Sequence, residues 1–157
     1  MAALPFFDLS KFDVEHPIAG PAQIEAVNPQ RGAMRHLDAI VWHDEAKSKV
    51  IGYKEVRHDE FWVPGHIPDR PLLPGVIMIE AGAQLAAYMM KLRFPQFQFV
   101  GFIGCDKVKF RGQVVPGQRL YLLGKEVQIK PRRFICDVQG VVEGMLVFEG
   151  TITGMPI

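Results

Sequence analysis

The C-terminal third of the chain alternates apolar and polar residues, a pattern typical of strands with one face in a core and one in water. Turn signals lie beside these runs: Pro116 and Gly117 suit the centre of a type II turn, and Glu143 with Gly144 can close a hairpin. We therefore predict antiparallel neighbouring strands. The three clearest runs are RLYLLGKEVQI (119–129), RRFICDVQGVV (132–142) and MLVFEGTIT (145–153).

Further strands are predicted on both sides of a central apolar segment. LDAIVWHD (37–44) and KVIGYKEVRH (49–58) lie upstream, with residues 44–48 as their connection. FQFVGFIGCDKVKF (97–110) lies downstream of the segment. The chain therefore has strands before and after the centre, and most of them come after it.

The central segment, from Gly75 to Arg93, consists of good helix formers with apolar side chains on nearly every face. This stretch is apolar enough to resemble a membrane span, but Glu80 and Gln84 lie near its middle. An acidic residue in mid-membrane costs roughly 2.5 to 3.5 kcal/mol. We therefore predict one helix buried inside the protein and no membrane span.

One buried helix with a run of antiparallel strands indicates an α+β domain whose sheet curls around the helix. A length of 157 residues with 48% hydrophobic content fits a single compact domain. We assign this domain to residues 28–157 and describe residues 1–27 as an irregular N-terminal extension. Its Phe6, Phe7 and Phe12 are expected to pack on the domain surface.

Charge and cysteine content exclude several classes of protein. Eighteen basic and seventeen acidic residues leave a formal charge of +1, which disfavours a nucleic-acid-binding protein. The N-terminus lacks the pattern of a secretory signal, and Cys105 with Cys136 forms no disulfide framework. These features predict a cytoplasmic protein. The five histidines lack the spacing of a metal pair, so no metal site is predicted.

Candidate chemistry concentrates in WVPGHIPDRPLLPGVIMIEAGAQ (62–84). Prolines stiffen the loop around His66, which would hold its imidazole in place as a base. The N–H groups of Gly75 and Val76 open the helix, where unpaired donors suit an oxyanion. Burial would raise the pKa of the Glu80 carboxyl group, as a general acid requires. Together these groups suit proton removal next to a carbonyl with loss of a neighbouring oxygen.

Structural roles remain open for the same residues. Glu80 is equally compatible with a glutamate that binds backbone or pairs with a basic residue, since structural ion pairs also perturb pKa values. A lone histidine such as His66 is usually structural or exposed to solvent. The residues alone therefore leave both interpretations standing.

The same stretch resembles the signature of the FabZ-type 3-hydroxyacyl-(acyl-carrier-protein) dehydratases, which are hot-dog proteins. Their signature has Gly-His, Pro, Pro, Pro-Gly-Val and then Glu-Ala-x-Ala-Gln. KVKFRGQVVPGQRL (107–120) is similar to a second family segment, and the likeness covers residues 28 to about 152. The signature is matched, including the spacing between histidine and glutamate, at Gly65, His66, Pro68, Pro71, Pro74, Gly75, Val76, Glu80, Ala81, Ala83 and Gln84.

The resemblance implies a hot-dog fold and a hydro-lyase that converts (3R)-3-hydroxyacyl-acyl-carrier-protein to the trans-2-enoyl product in fatty acid biosynthesis. It gives His66 the removal of the C2 proton and Glu80 the protonation of the departing 3-hydroxyl group. Gly75 N–H would hold the thioester carbonyl, and Gln84 would orient Glu80. Glutamate at position 80 resembles the plain dehydratases, whereas relatives that also isomerise the double bond carry aspartate. We therefore do not predict isomerase activity.

The resemblance also implies an assembly. His66 and Glu80 of one site would come from different subunits, which makes a homodimer the minimal active unit. Three such dimers form a hexamer in many relatives, so a hexamer is a further expectation.

Acyl carrier protein is the implied partner, and its phosphopantetheine arm would carry the substrate. Because this carrier is acidic, a basic rim near the tunnel mouth is expected to assist docking. Solvated basic residues on exposed strand faces explain the candidates equally well. No metal or redox cofactor is expected, because the elimination moves only protons. The candidate docking residues form two groups, Lys107, Lys109 and Arg111, and Lys130, Arg132 and Arg133.

The chain departs from the family pattern at several positions. Ile67 and Asp69 stand where the family has Phe and Gly after the histidine, and Gly32 and Met34 replace aromatic residues. Gln118 replaces an aspartate. None of these positions is a candidate catalytic residue, so we expect effects on acyl-chain fit, pocket gating or loop packing.

Two other functions stay open. The hot-dog fold also supports acyl thioesterases, and a non-catalytic acyl-binding relative would keep the fold and pocket. The pairing of His66 with Glu80 favours dehydration over hydrolysis, and the intact catalytic positions argue against a mere binder.

Overall fold

The computed structural model describes residues 3–157, in which two α-helices and six β-strands are found. Single turns of 3-10 helix occur at Leu9–Lys11 and Gly32–Met34. Each strand predicted from the sequence is present, and the buried helix has the predicted bounds. The elements are α1 (Pro21–Val27), α2 (Gly75–Arg93), β1 (Ala39–His43), β2 (Lys49–Glu55), β3 (Val100–Phe110), β4 (Arg119–Lys130), β5 (Arg133–Val142) and β6 (Met145–Pro156).

The six strands form one antiparallel sheet in the order β1-β2-β4-β5-β6-β3, which leaves β1 and β3 at the edges. Both predicted turns are confirmed. Gly117 has a φ of 96°, and Gln118 N donates to Val115 O at 3.2 Å, as in a type II turn. Glu143 and Gly144 have φ values of 51° and 78°, so the β5–β6 hairpin closes with both central residues left-handed.

Helix α2 lies in the concave face of the sheet, which gives the predicted α+β architecture. From Ala81 to Met90 every residue of the helix is buried. A Cβ on Gly82 would lie 3.0 Å from Val138 and 3.4 Å from Phe148, so glycine allows the helix to approach the sheet closely. Within residues 3–157 no helix has the length and apolar character needed to cross a bilayer.

The first part of the N-terminal extension, residues 6–14, covers the opposite, convex face of the sheet, whereas Ile24 and Val27 near its end pack into the core that contains α2. The ring centroids of Phe7 and Phe12 lie 6.1 Å and 4.9 Å from that of Trp42. Buried Gln139 on β5 fixes the segment, because its Oε1 accepts from Phe6 N at 2.7 Å and its Nε2 donates to Leu4 O at 3.1 Å. The extension differs from the irregular chain that we expected, since it contains helix α1, which begins with Pro21 at its first position.

We expect substitution of Gly154 by alanine to destabilise the fold. Gly154 lies opposite Phe134 in the β5–β6 register, and a Cβ there would lie only 2.1 Å from the Phe134 ring. Phe134 is buried and has little room to move. Overpacking of this kind lowers the free energy of unfolding by roughly 1–3 kcal/mol, measurable by urea denaturation.

Gly65→Ala is the matched control, because nothing lies within 4 Å of its added Cβ. We expect it to change the free energy of unfolding by less than about 0.5 kcal/mol. Equal stability of the two variants would contradict the packing of Phe134 over Gly154.

Candidate active site

His66 lies in the loop that precedes α2, and its ring is fixed by a single carbonyl. Nδ1 lies 2.7 Å from Leu72 O. A carbonyl oxygen can only accept, so Nδ1 carries the hydrogen and Nε2 of the neutral ring keeps its lone pair. The loop itself is anchored by Leu73 N, which donates to Val114 O at 2.8 Å. This arrangement leaves Nε2 as a proton acceptor on an exposed ring.

The loop between His66 and the helix contains a strained turn. Arg70 N donates to Ile67 O at 3.0 Å, with Pro68 and Asp69 at the two central positions. Asp69 has a φ of 64°, in the left-handed region that a type II turn requires and that glycine occupies most easily. Asp69 therefore holds a left-handed position that the family's glycine would occupy with less strain, and an effect of this departure on loop packing stays a prediction.

A cleft of about 570 Å³ runs from His66 to the first turn of α2. Pro74 O accepts from the N–H groups of Ile77 and Met78, so the two preceding donors, Gly75 N–H and Val76 N–H, have no acceptor within residues 3–157. These unpaired donors and the positive end of the helix dipole favour an oxyanion there. The cleft is lined by His66, Leu72, Leu73, Gly75, Val76, Met78, Phe110, Arg111, Gly112 and Gln113.

Packing favours glycine at position 75, in addition to its proposed role as an oxyanion donor. A Cβ there would lie 2.7 Å from the Phe110 ring, which packs over the start of the helix. Phe110 lies at the end of edge strand β3 and is itself half exposed. The helix start and β3 therefore form one wall of the cleft together.

Glu80 does not line this cleft. It lies one helical turn after Val76, whose side chain is 69% exposed, on the same stripe of α2. Val76 itself lines the cleft, and Glu80 lies four residues, or about 6 Å, further along the helix axis. Glu80 is half-buried rather than fully buried as we expected, because its stripe is incompletely covered in a single chain. One chain thus places His66 in the cleft and Glu80 outside it.

Gln84 holds the Glu80 carboxyl group. Its Nε2 donates to Glu80 Oε1 at 2.9 Å and to Met34 O at 2.7 Å, and its Oε1 accepts from His36 N at 2.8 Å. Gln84 is buried, so all of its contacts are with protein. Met34 and His36 were not predicted as partners of Gln84, although both lie in the segment that only partly resembles the family.

Three buried polar residues beside this network were also missed. The ring of His36 is 1% exposed, and neither of its nitrogens has a hydrogen-bond partner within residues 3–157. Burial, aided by the Lys54 ammonium, lowers the pKa of His36 to about 4. Lys54 Nζ pairs with Glu60 Oε1 at 2.5 Å. Burial would raise the pKa of Glu60, but hydrogen bonds from Lys54 and Arg57 N–H bring it below its usual value.

The two candidate docking groups lie at different places. Arg111 lines the cleft, and its Nε pairs with Glu149 Oε2 at 2.9 Å. Lys107 and Lys109 are exposed on β3, which leads to Arg111. Lys130, Arg132 and Arg133 are exposed at the β4–β5 turn, where Lys130 lines a separate pocket with Met90 and Phe94 near the other end of α2.

Residues 3–157 contain no group of three or more His, Cys, Asp or Glu side chains arranged to hold a metal ion. Cys105 and Cys136 are both free thiols, the first exposed and the second buried. Burial raises the pKa of Cys136 to about 12, which keeps it protonated and unreactive.

Several solved structures share this fold. A chain of a dehydratase heterocomplex from Xenorhabdus doucetiae superposes with a TM-score of 0.73 at 14% identity, over 85% of this chain and 90% of that one. A thioesterase from Haemophilus influenzae superposes with a TM-score of 0.65 at 13% identity, over 85% of this chain and 90% of that one. At these identities the likeness is one of fold, and it confirms the hot-dog architecture.

Sequence similarity is more specific. A FabA-like domain model matches residues 28–151. The FabZ 3-hydroxyacyl-(acyl-carrier-protein) dehydratase of Streptococcus suis is 35% identical over 126 residues, covering 77% of this chain and 90% of that protein. The FabZ of Streptococcus equi subsp. zooepidemicus is 31% identical over 132 residues, covering 83% and 93%. This chain therefore belongs to the FabA-like domain family, and within it to the group that contains the FabZ dehydratases.

Proposed function

We propose that this protein dehydrates (3R)-3-hydroxyacyl thioesters of acyl carrier protein to trans-2-enoyl thioesters in fatty acid biosynthesis. The family membership supports this reaction, because the relatives at 31–35% identity are named for it. The observation that carries it in this chain is the fixed tautomer of His66, which leaves Nε2 free on a residue that lines a cleft ending at the first turn of α2.

In the proposed reaction, the thioester carbonyl accepts from Gly75 N–H, with Val76 N–H beside it. His66 Nε2 removes a proton from C2, and the two N–H donors stabilise the charge that develops on the carbonyl oxygen. Glu80 gives its proton to the 3-hydroxyl group, the C3–O bond breaks and water leaves. A proton then returns from His66 to Glu80 through solvent, so the enzyme is restored and no metal or redox cofactor takes part.

The proposed site is shared between two subunits. In one chain Glu80 is not among the residues that line the cleft with His66, which supports a site whose carboxyl group comes from a second chain. Edge strand β3 offers the contact surface, since Phe102, Ile103 and Phe110 on it are 48%, 53% and 51% exposed. A long edge strand with exposed apolar residues is a ready template for pairing. We propose a homodimer through this edge, and a hexamer of three such dimers.

The proposed carrier-protein dock lies at the cleft. Arg111 supports it because it lines the cleft itself, and Lys107 and Lys109 extend the positive surface along β3. An acidic carrier would be steered toward the cleft at Arg111. The group at the β4–β5 turn has weaker support, because it lies near the opposite end of α2. The free cysteines suit the cytoplasm, which we propose as the location.

A direct assay tests the reaction. We expect purified protein incubated with 3-hydroxyacyl carrier protein to produce an enoyl thioester, detected by its ultraviolet absorbance and by mass spectrometry as a loss of water. Release of a free thiol would instead indicate a thioesterase, a function that the fold also supports. Absence of any turnover would indicate an acyl-binding relative, and either result would overturn the proposal.

A further inference from the structure

The segment between α1 and β1 is fastened to the middle of helix α2 at a single residue, Gln84. Asn28 Nδ2 donates to Gln84 O at 2.9 Å, and His36 N donates to the side-chain Oε1 at 2.8 Å. Gln84 Nε2 in turn donates to Met34 O at 2.7 Å. Three hydrogen bonds thus join this segment to one glutamine across about fifty residues of sequence.

These bonds permit only one orientation of the Gln84 amide. A backbone N–H, that of His36, can only donate, and a carbonyl, that of Met34, can only accept. Exchanging the amide oxygen and nitrogen would therefore break both bonds and leave unsatisfied polar groups inside a buried site. The second hydrogen of Nε2 has one remaining direction, toward Glu80 Oε1 at 2.9 Å.

The segment is in turn held by Arg31. Its guanidinium donates to Asn28 O at 2.8 Å, to Gln30 O at 2.9 Å and to Glu25 O at 2.7 Å. Glu25 lies in the last turn of α1 and Asn28 is its C-cap, where helix carbonyls lack partners within the helix. Arg31 therefore ties the end of α1 to the start of the segment with backbone contacts alone.

We propose that Arg31 and Asn28 are positioning residues, which act through Gln84 to hold the Glu80 carboxyl group where a substrate hydroxyl can reach it. This inference rests on the proposed function, in which Glu80 is the proton donor. Neither residue touches the cleft, so their effect is on the placement of the acid and not on substrate binding.

The first test separates kcat from KM. We expect Arg31→Met to lower kcat by about tenfold while KM changes by less than about twofold, because a misplaced catalytic group slows the chemical step without weakening binding. Asn28→Ala removes the other contact and should act in the same direction. Arg57→Met is the matched control, since the Arg57 guanidinium pairs with exposed Asp59 and makes no hydrogen bond to Asn28, Arg31 or Gln84, and it should leave both constants unchanged.

The second test needs no catalytic activity. In protein labelled with ¹⁵N at glutamine, the Gln84 side-chain amide should exchange slowly with solvent, and Gln84→Met identifies its signals. The clamp is the set of hydrogen bonds through which Arg31 and Asn28 hold the segment to Gln84. We expect Arg31→Met and Asn28→Ala to loosen this clamp and to accelerate the exchange at least about tenfold. Arg57→Met should leave the exchange rate unchanged. A chain that fails to dehydrate but shows this exchange pattern would refute the proposed function and leave the clamp intact.

Three results would overturn the inference. Unchanged exchange of the Gln84 amide in both clamp variants would show that Arg31 and Asn28 do not hold it. Faster exchange with an unchanged kcat would show that the clamp does not position Glu80. A loss of kcat matched by a loss of folded protein, followed by circular dichroism, would assign Arg31 a purely structural role.

Discussion

His66→Ala and Glu80→Gln should each abolish dehydration while the protein stays folded. His66 is exposed, and its loop is held independently by Leu73 N and Val114 O, so removal of the ring leaves the loop in place. Glutamine at position 80 keeps the size of the side chain and an oxygen that can accept from Gln84, but it has no proton to give. A positioned acid or base contributes about 10²–10⁴-fold to a rate, so each variant should lose at least about a hundredfold in kcat.

A mixture of the two variants distinguishes a shared site from a site within one chain. After unfolding and refolding together, random pairing makes about half of the dimers hybrid, and one of the two sites in each hybrid is intact. We expect recovery of about a quarter of the wild-type activity if His66 and Glu80 come from different subunits. Each variant refolded alone provides the control and should stay inactive. Failure of the mixture to recover activity would contradict the shared site.

Acid should destabilise this protein through His36. Its ring packs against Phe61 with a centroid distance of 6.2 Å and is surrounded by Lys54, Glu60 and Asp38. The pKa of His36 is about 4 in the folded protein against 6.5 as the reference value. Below about pH 6.5 the unfolded chain therefore binds a proton that the folded protein refuses.

This difference in the pKa of His36 makes the folded protein less stable as the pH falls. The stability that neutral His36 gives is fully present above its unfolded pKa and is lost as the pH falls toward its folded pKa. From about pH 7.5 to about pH 4.5, the free energy of unfolding should fall by about 2.5 kcal/mol from this residue alone. Urea denaturation at fixed protein concentration measures it.

His36→Leu isolates the effect, because leucine fits a buried site and does not titrate. We expect the variant to lose about 2.5 kcal/mol less than the wild type over the same pH range. At neutral pH it should be at least as stable, since the ring nitrogens of His36 have no partners among the described residues. Parallel pH profiles for the two proteins would contradict a buried neutral His36.

The strands and the central helix could be predicted because their patterns are local. The alternation of apolar and polar residues in β4, β5 and β6 indicates which face of each strand is buried. The apolar helix-forming residues from Gly75 to Arg93 indicate a helix enclosed by protein. The chemistry of the His66 loop was equally local, since the base and the oxyanion donors lie within eleven residues of sequence. Helix α1 was missed because its seven residues carry too short a pattern to stand out.

The network around Glu80 could not be predicted in this way. The partners of Gln84 lie 48 and 50 positions away in the sequence, at His36 and Met34. Both contacts use backbone N–H and C=O groups, which every residue except proline possesses. The order of side chains along the sequence therefore does not indicate which backbone group will form a hydrogen bond with a buried side-chain amide.

Burial of polar groups was hidden for a related reason. Lys54 and Glu60 are six positions apart and appear as ordinary surface charges, yet their side chains form a buried ion pair close enough to His36 to affect its pKa. The same holds for Gln139, which alternation would place on a strand face but which is buried by the N-terminal extension. Their exposure depends on what covers the sheet from elsewhere in the chain.

By itself the sequence determined the order of the elements, the enclosed helix and the family, because periodicity and a contiguous signature are written along the chain. Tertiary structure alone decided which tautomer His66 adopts, that Glu80 lies outside the cleft of its own chain, and that the segment around Arg31 reaches Gln84. These features depend on hydrogen bonds and packing between residues that are distant in sequence. Local residue preferences cannot specify such contacts until the chain has folded.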